Sequence, residues 1–232
     1  MIAGLSKAVT LYLTPVLALT AVVLSVLAFL APTLVLQDRV ALLTVTPSFD
    51  NDSGEQLDGP SLFLGLLGSC SRPKNDEAIN CTSTSFMPVY DFSDLPSEAP
   101  RILLSSPSGC SGAIAAGMLL SVIFFFTFTF VAFGHKMGDK MAAMVDRPLI
   151  QRTVAWLGFV GFLTGITSLL IVRMWYGKGV DDFNKSIQMI ITNPPRVHAD
   201  LGNGFTMMWV AYAFYGVPVI VALSKLHVKA AK

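Results

Sequence analysis

Few side chains in this 232-residue chain could do chemistry: three cysteines, three histidines, a set of loop acids and three Asn-x-Ser/Thr triplets. Cys70 and Cys81 fall within Ser61–Thr82, where an apolar run leads into Gly-Ser-Cys, a polar loop and the second cysteine. That mixture suits neither a membrane interior nor a reducing cytosol. It reads as a small extracellular fold stapled by a Cys70–Cys81 disulfide. Cys110 stands at the start of a later apolar segment and reads as a buried free thiol; its pairing with Cys70 or Cys81 is the competing connectivity. No Cys-x-x-Cys pair is present for zinc or redox work.

The remaining polar chemistry is scattered. His135 and His227 flank apolar segments, and His198 lies near Asp200 in a polar stretch; with no Cys/His/Asp cluster nearby, each reads as a surface residue. Residues 38–111 carry ten acids against four bases, but no Asp-x-Asp-x-Asp-Gly loop that would hold calcium, so a solvated acidic face is expected. Ser, His and Asp occur without a Gly-x-Ser-x-Gly elbow. No enzyme activity, metal or cofactor is expected. The lack of a basic patch with interleaved aromatics argues against a nucleic-acid partner.

The elements that must position these residues are membrane spans. Hydrophobic residues make up 53% of the chain and charged residues 13%, against about 25% charge in an ordinary soluble domain. The deficit is concentrated in four uncharged windows, expected as spans at about 16–36, 112–133, 153–172 and 205–224 of a single domain covering residues 1–232. The first is read as a retained span rather than a cleaved signal peptide, because the apolar region is long and lacks a small-x-small cleavage pattern. None of the four holds Asp, Glu, Lys, Arg or His at its centre, which argues against a pump, a transporter or an intramembrane hydrolase. In the third, Gly161 and Gly165 form a Gly-x-x-x-Gly pair for close helix packing within the bundle, a homo-oligomer interface being the alternative. In residues 37–111, Val40–Val45, Leu62–Leu67 and Ile79–Thr84 have the composition of short strands.

Orientation follows from charge. The segment 134–152 has four Lys/Arg in nineteen residues and the tail after Ser224 has three in eight, so both termini and 134–152 are expected in the cytoplasm, with 37–111 and 173–204 outside. The three N-glycosylation triplets, at Asn51, Asn80 and Asn184, all fall in the segments placed outside. The fold class expected is therefore a four-helix membrane bundle carrying a small disulfide-stapled extracellular β-sheet.

Four spans, a large first outer loop and the series Gly65-Leu66-Leu67-Gly68-Ser69-Cys70 followed by Cys81 resemble the claudin-like superfamily. In that group two loop cysteines staple neighbouring strands after Gly-Leu-Trp; here Leu67 replaces the tryptophan. The fragments Leu64–Lys74, Ile79–Thr82 and Pro88–Asp91 are similar to the loop of the fungal PalI-like tetraspan family, which includes eisosome membrane proteins. The resemblance implies a plasma-membrane protein of the fungal cortex with roles in membrane-domain organisation, wall integrity or ambient-pH signalling. It implies no catalytic residues, only the Cys70–Cys81 pair. The function expected is non-enzymatic: an organiser or accessory subunit that contacts membrane lipids and a lateral membrane-protein partner, such as a cell-wall polysaccharide synthase. A pH-sensing component and a channel or transporter subunit are the alternatives.

Overall fold

The computed structural model describes residues 9–48, 58–96, 99, 109–145, 147–191 and 195–230. Among the described residues four helices are long and apolar enough to cross a bilayer, and they make the chain a multi-span membrane protein. Helix α1 (Thr14–Leu30) follows a π-helical stretch, Val9–Leu13, and the apolar span runs Leu11–Leu30. Helix α2 is Cys110–Phe133, a short α3 covers Asp139–Val145, α4 runs Pro148–Gln188 and α5 runs Gly204–Ala230. A five-stranded antiparallel sheet has the order β4-β3-β2-β1-β5, with β1 Leu43–Pro47, β2 Ser61–Leu64, β3 Ser69–Arg72, β4 Asn80–Cys81 and β5 Val197–Leu201. Four spans with a small disulfide-linked sheet constitute a claudin-like tetraspan architecture.

The chain forms two compact units. One comprises helical segments from residues up to 26, 113–168 and 208 onward; the other comprises residues 27–112 and 169–207. In the helical unit α4 presents small residues at Gly158, Gly161 and Gly165, and large side chains from two other helices fill the space they leave. A side chain at Gly158 would collide with the Phe124 ring, one at Gly161 would meet Leu120 and the Tyr215 hydroxyl, and one at Gly165 would collide with Tyr212. Gly117 of α2 approaches the Gly165 backbone, where an added Cβ would lie 2.9 Å from its Cα. The Tyr215 hydroxyl donates to the Gly158 carbonyl at 3.2 Å. Such close approach matters in a bilayer, where apolar burial drives little association and packing must supply it. The phenylalanines of α2 divide by helical period: Phe124 and Phe128 are buried, and Phe126 and Phe130 are exposed.

Several segments differ from the sequence-based expectation. The polar stretch after the third span, expected as a loop over 173–204 with a short amphipathic piece at Val180–Ile191, begins as a continuation of α4 to Gln188, so that the amphipathic piece belongs to the same helix as the span. At 1.5 Å per residue this 41-residue helix is roughly 60 Å long, about twice the hydrocarbon thickness. It persists because Val172, Tyr176 and Phe183 repeat at i, i+4 and i+11 and bury one stripe while Lys178, Asp181 and Lys185 stay outside it. The strand expected at Val40–Val45 lies at Leu43–Pro47, and that expected at Leu62–Leu67 stops at Leu64, because Gly65–Gly68 form the turn into β3. Ile79–Thr84 yields only two strand residues, and β3 and β5 lie outside the strands expected from the pattern. β1 and β5 pair antiparallel in register Leu43↔Leu201 through Pro47↔Val197. That pairing requires the segments after the first and third spans to lie on the same side of the membrane, as two intervening crossings dictate.

The glycine stripe gives a direct test. Gly165→Leu should lower stability in detergent by about 1–3 kcal/mol through overpacking, and Tyr212→Ala in the same chain should restore part of it. Thermal unfolding of the two purified variants measures both; an unchanged midpoint in Gly165→Leu contradicts the packing described.

Candidate functional site

The second unit is built around the hairpin turn that joins β2 to β3. All of Ser61–Cys70 is buried, including the four turn residues Gly65, Leu66, Leu67 and Gly68. A buried turn leaves backbone carbonyls with no strand partner, and each of these finds a donor elsewhere. The Gly65 carbonyl accepts from the Tyr90 hydroxyl at 3.0 Å, the Leu66 carbonyl from the Ser111 hydroxyl at 2.9 Å, and the Leu67 carbonyl from the Ser85 N–H at 2.9 Å. The Gly68 carbonyl accepts from the Gly65 N–H at 2.9 Å and closes the turn. Tyr90 also shares a hydrogen bond with the Tyr176 hydroxyl, which brings α4 to the same point. Both glycines are required by proximity: a Cβ at Gly65 would strike the Ala31 carbonyl and Pro32, and one at Gly68 would meet Thr82 and Thr33.

Cys70 and Cys81 face each other across β3 and β4 and are joined by a disulfide, with Cα atoms 4.0 Å apart. Cys70 is fully buried beside Phe63 and Ala41, with Ile79 and Cys81 packed against them. Thr82 clamps the next residue pair, its N–H donating to the Ser69 carbonyl at 2.9 Å and its hydroxyl accepting from the Ser69 N–H at 3.0 Å. Beyond Tyr90, the Asp91 N–H donates to the Ser69 hydroxyl at 3.0 Å. The Asp91 carboxylate accepts from the Ser93 N–H at 2.9 Å, and hydrogen bonds from the Ser93 backbone and hydroxyl hold its pKa below the usual carboxylate range.

At the far edge of the sheet a side chain caps the middle residue of β5. Asn184 of α4 donates its amide to the Ala199 carbonyl at 2.8 Å and accepts from the Ala199 N–H at 3.0 Å, mimicking one residue of a further strand. Asn203 ties the return to α5, donating to the Arg39 carbonyl at 2.7 Å, while the Gly204 N–H reaches the Ala41 carbonyl at 2.9 Å.

Of the residues singled out from sequence, the structure brings together Cys70 with Cys81, and Gly161 with Gly165 on one face of α4. Cys110 is a half-buried free thiol at the first residue of α2. Asn80 is exposed on the two-residue edge strand β4, Asn184 is committed to Ala199, and Asn51 lies outside the described residues. His198 is exposed on β5 with Nε2 3.4 Å from Asp200 Oδ1, and the side chains of His135 and His227 also lie outside the described set. Sequence reasoning missed Tyr90, Tyr176, Ser111 and Asn203, whose partners are 25 to 164 residues away. Among the described residues no three His, Cys, Asp or Glu side chains are grouped to hold a metal ion. No protein-family model matches the chain, and no curated protein sequence is significantly similar to it.

Replacing Cys70 or Cys81 by serine should lower the stability of this unit by about 2–4 kcal/mol, as loss of a short-range disulfide does. Limited proteolysis of the purified variants reads the loss. Wild-type resistance in both variants would mean that the bond does not hold the fold.

Proposed function

We propose that this protein acts without catalysis, as a lateral organiser or accessory subunit of other membrane proteins in the plasma membrane of the fungal cell cortex. The observation that carries the reading is the distribution of polar groups. The windows 11–30, 112–133, 153–172 and 205–224 hold no Asp, Glu, Lys, Arg or His, while the polar architecture is spent on a stapled sheet whose interior groups bond to one another. Spans of that kind suit lipid and helix contact rather than turnover or ion passage. The similarity of Leu64–Lys74 and Pro88–Asp91 to the fungal PalI-like loop supports the cortical setting. A large wall-polysaccharide synthase of the same membrane is the partner that best fits an accessory role. Purification of the intact protein in mild detergent should bring down a stoichiometric membrane-protein partner, and deletion should alter wall or membrane-domain organisation. Recovery of an isolated chain together with an unaltered wall would remove the proposal.

The same reading puts both termini in the cytoplasm and the sheet outside, in keeping with the Lys/Arg bias of 134–152 and the tail. Asn80 is then the accessible glycosylation acceptor, and Asn184 is spared because its amide is engaged by Ala199. In an Asn51→Gln background, Asn80→Gln should abolish the glycan-dependent gel shift and Asn184→Gln should leave it intact. A shift that survives Asn80→Gln and vanishes in Asn184→Gln would contradict this assignment.

A further inference from the structure

The two connections that flank β4 are opposite in chemistry. The β3–β4 hairpin, Pro73–Ala78, exposes Lys74, Asp76 and Glu77, as a water-facing turn does. After β4 the chain carries no charge from Ala78 to Tyr90, and its tip turns large apolar side chains outward. Phe86 is 61% exposed, Met87 77% and Val89 79%. The loop is nonetheless held at both ends: Cys81 is bonded to Cys70, Ser85 donates to Leu67, and Tyr90 is buried at the Gly65 carbonyl. Its exposed polar residues, Ser83, Thr84 and Ser85, are uncharged, and the tip beyond them presents large apolar side chains outward, which an ordinary surface loop does not.

Its neighbour identifies what covers it. The Phe86 ring lies 6.5 Å from that of Phe29, one residue from the end of α1. The apolar span Leu11–Leu30 contains 20 residues, about 30 Å of helix, which matches the hydrocarbon thickness. Phe29 therefore sits where hydrocarbon gives way to headgroups, and Phe86 lies within one ring contact of it. Leu34 and Leu36, just past the end of α1, are exposed as well. We infer that the loop tip Phe86-Met87-Pro88-Val89 docks into the lipid headgroup–acyl boundary of the membrane that α1 spans, and so holds the disulfide-linked sheet down on the bilayer. Aromatic and apolar side chains with no accompanying charge are the composition that this boundary accepts.

The test places an environment-sensitive fluorophore on Met87→Cys in a Cys110→Ser background of the full-length chain, in phosphatidylcholine vesicles containing lipids nitroxide-labelled near the top of the acyl chain. Lys74→Cys serves as the water-facing control, and Val89→Cys repeats the measurement if the Met87 variant fails to fold. The expected result is a blue-shifted emission at position 87 that the nitroxide lipids quench, with neither effect at position 74. An emission at 87 and 89 like that at 74 would overturn the inference. So would a blue shift that lipid nitroxides fail to quench, which would mean a second copy of the chain covers the loop. A shift seen in native membranes but absent from the vesicles would likewise overturn it, and would assign the loop to a protein partner.

Discussion

The sheet-bearing unit depends on satisfying the backbone of one buried turn. Gly65–Gly68 is shielded from water, so each of its carbonyls must find a donor or cost about 1–3 kcal/mol. The donors come from three separated places: Tyr90, Ser111 and Ser85. Satisfying the turn therefore fixes the loop after β4 and the start of α2 at the same time. Tyr90 carries the link on to Tyr176 of α4. The disulfide lies two residues beyond the turn and holds β4, only two residues long, where backbone pairing alone would be weak.

The sheet limits its two edges by different means. At one side the terminal strand is reduced to Asn80–Cys81 and covalently bound. At the other, Asn184 supplies an amide in place of a neighbouring strand and occupies both backbone groups of Ala199. An open edge of five residues would be a template for pairing with another chain. The extension of α4 past the membrane has its structural reason here, since it brings Asn184 to β5. The helical unit uses a related economy, in which Gly158, Gly161 and Gly165 leave room for Phe124, Tyr215 and Tyr212. In both units a small or polar residue on α4 receives a group that arrives from elsewhere in the chain.

This architecture bears on function through what it presents outward. The helical unit exposes apolar residues such as Phe126, Leu163 and Ile220, suited to lipid or to a partner's span, and the sheet is internally bonded rather than arranged around a reactive centre. The proposed accessory role rests on these features. A sheet held against the bilayer by the Phe86–Val89 loop would keep such a subunit's outer face at a defined height, where a neighbouring membrane protein could meet it.

The number of spans was legible from the sequence alone, because a window of about 20 uncharged apolar residues has one stable destination in a cell. The Cys70–Cys81 bond was nearly so, since two cysteines flank a short polar hairpin and the third opens a span. Leu62 and Phe63 were legible as strand because a short apolar run bounded by Pro60 and Gly65 is a local signal. Strand β5 was not: Val197-His-Ala-Asp-Leu201 has the pattern, but only pairing with β1, more than 150 residues earlier, makes it a strand. The length of α4 was obscured by its change of surroundings at Arg173, where a uniformly apolar pattern becomes an amphipathic one. The roles of Tyr90, Ser111 and Asn184 could be decided only by tertiary structure. A hydroxyl or amide carries no local mark of its partner, and the carbonyls that require it become unsatisfied only once the chain has buried them.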